Sequence, residues 1–331
     1  MRAVICRSFD GIDALALGEL ADPLPGPGQV LVDVHAAAVS FMDTLMVAGR
    51  YQMKPALPFV PGTDAAGVVL ALRDGVRRLR VGDRVACSVW HGAMAERMVA
   101  AESSVVKLPD GIGFEIGSTV RYAYGTARCA LVERAQLRAH ESVFVSGAAG
   151  AVGMAAIDIA RRLGATVIAG ASSPERCGMA QRQGAAHAID YAHEPVRERL
   201  LALTEGRGVD IFLDNVGGAL FATVSRAMAW GGRMLPIGFT SGEIPSLAMN
   251  LPLLKGYSVV GCNWGAWMER DRERGRAADE QIFAAVADGS LRPQEPDVLP
   301  MSSFAVGLQR LVRREMTARI VLGIKSPPAP R

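Results

Sequence analysis

The chain has 331 residues, half of them hydrophobic and about a fifth charged, which suits a globular protein of two ordinary domains. A formal charge of +3 is too small to call for nucleic acid or a membrane surface as a partner, and no apolar run reaches the ~18 residues of a membrane span. The five cysteines (Cys6, Cys87, Cys129, Cys177 and Cys262) are scattered, odd in number and free of C-x-x-C pairs, so reduced thiols and a cytoplasmic setting are expected.

The first 120 residues read as β-rich. Met1–Arg7 is a short strand-like run cut by charge, with no secretory pattern. Val30–Val34 follows the turn signal Pro25-Gly26-Pro27-Gly28, and strands are expected at Gly67–Leu72, Val81–Ala86 and Val105–Pro109. Short strands split by Gly and Pro predict a small barrel-like domain.

From about Tyr124 strands and helices alternate. Strands are predicted at 142–147, 166–171, 187–190, 210–214, 233–238 and 258–262, and helices at 151–163, 175–183, 195–204 and 218–229. This alternation predicts an α/β domain with a doubly wound parallel sheet. The strand at 142–147 runs into Gly147-Ala148-Ala149-Gly150-Ala151-Val152-Gly153, a G-x-x-G-x-x-G loop that opens a helix. Such a loop suits a pyrophosphate, because unpaired backbone N–H groups and the positive end of the helix dipole converge there. The next strand ends in Gly170-Ala171-Ser172-Ser173-Pro174-Glu175-Arg176, with no carboxylate to accept from a ribose 2′-OH. Ser172, Ser173 and Arg176 suit a 2′-phosphate, so NADPH is expected over NADH. Ser173-Pro174-Glu175 also reads as an ordinary helix start, and the two readings are compatible. Asp214-Asn215-Val216-Gly217-Gly218 and Ile237-Gly238-Phe239 end later strands and belong beside the cofactor.

The last 65 or so residues lose the alternation. Glu269–Arg274 is a charge run expected to be a solvated helix face. Arg319–Leu322 reads as a strand returning to the first domain, and the Pro-rich tail Ser326–Arg331 is expected to be disordered. The five histidines show no motif spacing.

Over nearly its full length the chain resembles the medium-chain dehydrogenase/reductase superfamily, in the zinc-free quinone oxidoreductase branch that includes zeta-crystallin. The residues that carry this are Pro58–Val69 (PFVPGTDAAGVV), Gly82-Asp83-Arg84-Val85, Tyr124-Gly125-Thr126-Ala127, the glycine loop, Asp214–Gly218 and Ile237–Gly242. The resemblance implies a GroES-like catalytic domain split into 1–122 and 266–331, with an NADPH-binding Rossmann domain at 123–265. It also implies a homodimer joined edge to edge through the cofactor-domain sheet, or a homotetramer of such dimers. Two features depart from zinc-dependent members. Ser40 stands in the region of their Cys ligand, and Gly62-Thr63-Asp64 replaces Gly-His-Glu. With the metal's ligands missing, no zinc is expected. Ser40 also replaces an Asn common in the quinone reductases, and Ala318-Arg319 stands for their Gly-Lys.

The resemblance sets Ser40, Phe41 and Asp43, with Arg50 and Tyr51, at the nicotinamide end of the cleft. Tyr51 is a hydrogen-bond donor to the substrate oxygen or an aromatic wall. Asp43 fixes Tyr51, Arg50 or a water, or is a buried cap. Thr126 is expected at the nicotinamide or its ribose, Tyr191 near the 2′-phosphate, and Phe239, Asn263 and Trp264 around the pocket. Arg121 either adds positive charge for an anionic substrate or lies on the surface. Without a metal, the expected reaction is hydride transfer from NADPH to a small quinone or conjugated enone, which needs little electrophilic help. A 2-alkenal or 2-enoyl-thioester reductase, or a non-catalytic NADPH-binding protein, are the alternatives.

Overall fold

The computed structural model describes residues 1–313, 315–316 and 318–325. It divides into two units. Unit 1 comprises Met1–Tyr122, Asp279–Asp288 and the described residues from Pro293 on; unit 2 comprises Ala123–Ala278 and Gly289–Arg292. Residues 266–278 therefore lie with unit 2.

Unit 1 is built on a seven-stranded sheet around the long strand Gln29–Ala38. Along Gln29–Ala38 buried residues alternate with half-buried ones before a fully buried Ala36-Ala37-Ala38 end, the pattern of a strand with one face in the core. One edge pairs with Asp64–Leu72, which pairs in turn with Arg84–Ser88 and then Val105–Lys107, all antiparallel. Arg97–Ala101 pairs with the same central strand. Ile320–Gly323 returns to Ala36–Ala38, as the sequence suggests, and holds Asp297–Pro300 outside it. The register slips between Val34 and Ala36, where a Cβ on Gly67 would lie 2.0 Å from the Asp33 carbonyl oxygen. Only glycine permits that approach of two backbones.

Unit 2 carries six parallel strands in the spatial order 187–190, 166–171, 142–146, 209–214, 228–236, 258–259. This is the doubly wound order, with the reversal between Ser142–Ser146 and Val209–Asp214. The central strand Ser142–Ser146 is buried throughout, as a parallel strand covered on both faces must be. Phe144, Ile168, Ile189 and Phe212 anchor one of its cores. The expected helix at 218–229 is shorter, Gly218–Ser225, because strand Met228–Pro236 starts early: the Val209 N–H donates to the Ala227 carbonyl at 2.9 Å. The last strand keeps only Ser258–Val259. The charge run is broken at Asp271, between helices Trp264–Arg270 and Arg272–Ala287. Its Arg274 pairs with Glu133, which also pairs with Arg128 at 2.7 Å. The run is thus partly anchored, not purely a solvated face. The tail Ser326–Arg331 lies outside the described residues.

Candidate active site

The glycine loop of unit 2 joins strand Ser142–Ser146 to helix Ala151–Arg162. Its three glycines do different work. Gly147 has φ +58°, in the left-handed region that a side chain resists. Gly150 is the helix N-cap and brings no side chain to the first-turn N–H groups. A Cβ on Gly153 would sit 2.5 Å from the Gly147 oxygen and 2.7 Å from the Ala148 oxygen, so only glycine lets the helix pack this closely on the loop. The backbone N–H groups of Ala151, Val152 and Gly153 form the open first turn, an arrangement of N–H groups and helix dipole that suits an anion.

A polar lock fixes the far wall of the loop. Ser146 Oγ donates to Asp214 Oδ1 at 2.5 Å and accepts from the Asn215 N–H at 3.0 Å. Asn215 Nδ2 donates to the Ser146 carbonyl at 2.8 Å, and the Asp214 carboxylate also accepts from the N–H groups of Val216 and Gly217. Burial pushes the Asp214 carboxyl up, and these hydrogen bonds oppose it. The lock sets Asn215 and Val216 within 3.4 Å of where a Gly147 side chain would begin. Sequence reasoning named Asn215 and Val216 but missed Ser146 as their holder. Its signal was a hydroxyl ending an otherwise apolar strand. The Gly238 N–H donates to the Asp214 carbonyl at 3.1 Å, and half-exposed Phe239 covers Gly217.

At the end of strand Thr166–Ala171, Ser173 caps helix Pro174–Gln183 by accepting from the Arg176 N–H at 3.3 Å. Parallel pairing sets Asp190 opposite Ala171, and the Tyr191 N–H donates to the Ala171 carbonyl at 2.9 Å. Ser172, Ser173, Arg176 and Tyr191 are thereby collected at one corner of the sheet. At that corner Asp190 bonds His193 Nδ1 at 2.8 Å and accepts from the Ala192 N–H at 3.1 Å, and its own N–H donates to Glu194 Oε1 at 2.8 Å. The His193 hydrogen bond holds its carboxyl below the ordinary range, against desolvation.

On the other side, Trp264 lies where a Gly125 side chain would be, 2.7 Å from its Cβ position. The next residue, Thr126, is buried, and its Oγ1 has no hydrogen-bond partner in the structure. A buried hydroxyl without a partner costs free energy unless a ligand meets it, which fits a nicotinamide or ribose there. Asn263 spends its side-chain oxygen capping helix Trp264–Arg270, accepting from the Ala266 N–H at 3.0 Å.

Unit 1 holds the remaining candidates. Ser40 and Asp43 form a capping box on helix Phe41–Val47: the Ser40 N–H and Oγ–H donate to Asp43 Oδ2 at 2.7 and 2.8 Å, and the Gly62 N–H reaches Asp43 Oδ1 at 3.2 Å. Asp43 is fully buried, and burial pushes its carboxyl up to about 7 against the Ser40 and Gly62 hydrogen bonds. Thr63 Oγ1 donates to Asp64 Oδ2 at 2.9 Å, and Ser88 Oγ donates to Asp64 Oδ1 at 2.5 Å. Ser40 and Thr63 thus spend their hydroxyls on the Asp43 and Asp64 carboxylates. Among the described residues no group of three His, Cys, Asp or Glu is placed to hold a metal. Tyr51 is half-buried against the unit 1 core, which raises its phenol; Phe41 and Arg50 are exposed. Arg121 fits neither expectation. It is buried, paired with Asp279 at 2.8 Å and donating to the carbonyl of Ser104 at 3.0 Å, so it is a structural cation.

These two units match known domain families. The alcohol dehydrogenase GroES-like domain family matches residues 26–110, and the family described as zinc-binding dehydrogenase matches residues 151–279. Together they define a medium-chain dehydrogenase/reductase, an oxidoreductase with a Rossmann-type domain. A quinone oxidoreductase-like protein 2 homolog from Nematostella vectensis is 33% identical over 98% of this chain and 89% of its own length. A Pseudomonas syringae quinone oxidoreductase superposes with TM-score 0.89 at 29% identity, over 97% of this chain and 99% of that one. A mycobacterial protein solved in complex with NADPH superposes with TM-score 0.90 at 26% identity, over 97% of this chain and 99% of that one. The chain belongs to the medium-chain dehydrogenase/reductase superfamily, in its quinone oxidoreductase branch.

Proposed function

We propose that this oxidoreductase uses NADPH and passes hydride to a quinone or a conjugated enone without a zinc ion. One observation carries the cofactor preference: strand Thr166–Ala171 ends without a carboxylate and feeds Ser172, the Ser173 cap and Arg176, with Tyr191 alongside. A 2′-phosphate needs donors and positive charge at that place, and a 2′-OH reader needs Asp or Glu. The NADPH complex of the mycobacterial neighbour supports the reading.

When bound, the dinucleotide supplies the hydride. On this reading Gly147, Ala148, Gly150, Ala151, Val152 and Gly153 receive the pyrophosphate, and Asn215, Val216, Gly238 and Phe239 wall the nicotinamide half. Thr126 Oγ1 meets the ring or its ribose, and Asn263 orders its neighbour Trp264 as a helix cap. Tyr51 donates to the acceptor oxygen. Ser40 and Asp43 hold the helix start that carries Phe41, so Asp43 is a positioning residue. Conjugated acceptors suit a site whose metal-ligand positions are occupied by Ser40, Thr63 and Asp64, because their charge spreads without a Lewis acid. Arg121 is consumed by Asp279, which removes one of two cations that a thioester's phosphates would need.

The working form on this reading is a cytoplasmic homodimer, or a tetramer of dimers. Its support is an exposed apolar face in unit 2, where Trp230 is 81%, Met249 73% and Leu253 79% exposed beside the short edge strand Ser258–Val259. Among the described residues no helix is long and apolar enough to cross a membrane.

The test is NADPH oxidation followed by nicotinamide absorbance, with ortho- and para-quinones, alkenals and enoyl thioesters, and with NADH and a chelator as controls. Chelator-resistant turnover of quinones or enones with NADPH is expected. Preference for enoyl thioesters, dependence on zinc, or NADPH binding without turnover on any acceptor would each overturn the proposal. Tyr51→Phe should lower kcat/KM on the best acceptor, and an unchanged value removes Tyr51 from catalysis.

A further inference from the structure

Asp158 is fully buried in helix Ala151–Arg162, the helix that the glycine loop opens. Three donors converge on its carboxylate. Tyr124 Oη and the Arg292 N–H donate to Oδ2 at 2.9 and 2.6 Å, and Arg161 Nη2 donates to Oδ1 at 3.0 Å. All four residues belong to unit 2, yet they come from three separate segments. Tyr124 lies in helix Phe114–Arg128. Arg292 ends the stretch Gly289–Arg292, by which the C-terminal part of the chain returns to unit 2. That stretch is held at two further points: Arg162 Nε donates to Ser290 Oγ at 3.2 Å, and Gln183 Nε2 donates to the Arg292 carbonyl at 3.0 Å. Its Leu291 is buried. Tyr124 therefore meets an acceptor that is braced from two other sides.

We propose that Asp158 is a positioning residue for hydride transfer, acting through Tyr124 to set Thr126 against the glycine loop, an inference that rests on the NADPH reading of this site. Thr126 Oγ1 has no hydrogen-bond partner in the structure, so no bond of its own fixes it. Its place is inherited from its helix. An α-helix turns about 100° per residue, so pinning the Tyr124 side chain fixes the rotation of the helix at Thr126, two residues on. The regular ladder that could hold Thr126 from its other end stops close by, because beyond Arg128 the helix passes into the π-helical turn Cys129–Arg134. Trp264 fills the space that a Gly125 side chain would take, so the helix is wedged there as well.

The same carboxylate is rigidly joined to the loop. Asp158 lies seven residues from Ala151 in one unbroken helix, about 10 Å along its axis. One side chain thus ties the segment that receives the pyrophosphate to the segment that meets the nicotinamide or its ribose. The bond is also a strong one, since a phenol donating to a buried carboxylate is charge-assisted and water is excluded. Desolvation, and then the neighbouring Asp158 charge, push the Tyr124 phenol up, so it stays a donor. Tyr124 itself is buried and spends its hydroxyl on Asp158, so its effect on the reaction passes through the helix and not through contact with substrate.

The test uses the whole chain and separates binding of the phosphates from hydride transfer. Tyr124→Phe removes one oxygen and keeps the ring, and Asp158→Asn removes the charge and keeps the shape. If Asp158→Asn does not fold, Tyr124→Phe carries the test alone. Two quantities are measured on folded protein: the calorimetric Kd for adenosine 2′-phosphate 5′-diphosphate, the half of NADPH that ends at the pyrophosphate, and the single-turnover rate of NADPH oxidation with saturating acceptor. The Kd should stay within about twofold of the parent, while the rate should fall about 10- to 100-fold, the scale of a misplacement of up to about 1 Å. Arg161→Ala removes only the third, partly exposed partner of Asp158 and should change neither quantity. A merely structural carboxylate would give an unchanged rate in Tyr124→Phe, equal losses in both quantities, or a loss that Arg161→Ala reproduces, and each of these overturns the proposal. A parent protein that binds no NADPH sinks the NADPH reading and this inference together, whereas a parent that turns over no faster than Tyr124→Phe sinks this inference alone.

Discussion

Replacing Gly153 by alanine tests the cofactor cradle most directly. The added Cβ would lie 2.5 Å from the Gly147 oxygen, 2.7 Å from the Ala148 oxygen and 2.8 Å from the Ala148 carbonyl carbon. All three are backbone atoms, so no flexible side chain can move aside. Relief requires the start of helix Ala151–Arg162 to move off its loop by roughly half an ångström or more. Overpacking of this kind costs about 1–3 kcal/mol. Alanine recovers up to about 1 kcal/mol as a better helix former, so the effect on Tm is partly masked. Binding recovers nothing, because the displaced loop presents its N–H groups in the wrong place. Converted at about 1.4 kcal/mol per factor of ten, NADPH affinity should fall roughly 5- to 150-fold. Calorimetric titration of NADPH into both proteins, with Tm measured in parallel, reads this out. Gly178→Ala is the control, since its Cβ would meet only the flexible end of Arg182 at 3.4 Å. It should raise stability slightly and leave affinity unchanged. An unchanged NADPH Kd in Gly153→Ala would refute the placing of the pyrophosphate on this loop.

Three further expectations rest on other parts of the molecule. Arg176→Ala should raise KM for NADPH about tenfold or more while leaving KM for NADH nearly unchanged; equal losses would deny Arg176 a 2′-phosphate role. Asp43, with its carboxyl at about 7 in the folded chain, holds a proton that it loses near 4 when unfolded, so its ionisation erodes stability as pH rises from about 4 to 7. The difference in unfolding free energy between Asp43→Asn and the parent should grow over that window, and a difference flat with pH contradicts this. Asp279→Ala should cost about 3–5 kcal/mol in urea unfolding, because it strands the buried Arg121 cation. Substrate charge preference should not change, and a shift against anionic acceptors would restore Arg121 to the pocket.

The local signals were legible because they are short-range. The apolar run Ser142–Ser146, the glycines at 147, 150 and 153, and the cap residue Ser173 act within a few residues of themselves, so spacing and residue type determine them. The parallel sheet followed from the alternation of such pieces. The sequence by itself also determined that no carboxylate ends strand Thr166–Ala171 and that Cys and Gly-His-Glu are absent where zinc enzymes carry their ligands. What tertiary structure alone decided are meetings between distant segments. Arg121 reads as a free cation until Asp279 is brought against it in a buried site, where an unpaired charge would be prohibitive. Ser146 reads as a strand end until Asp214, on the adjacent strand, turns it into the lock on Asn215. Thr126 shows its orphaned hydroxyl only after packing has removed water and other neighbours. Spacing along a chain encodes local geometry, whereas burial and pairing depend on which distant surfaces the core forces together.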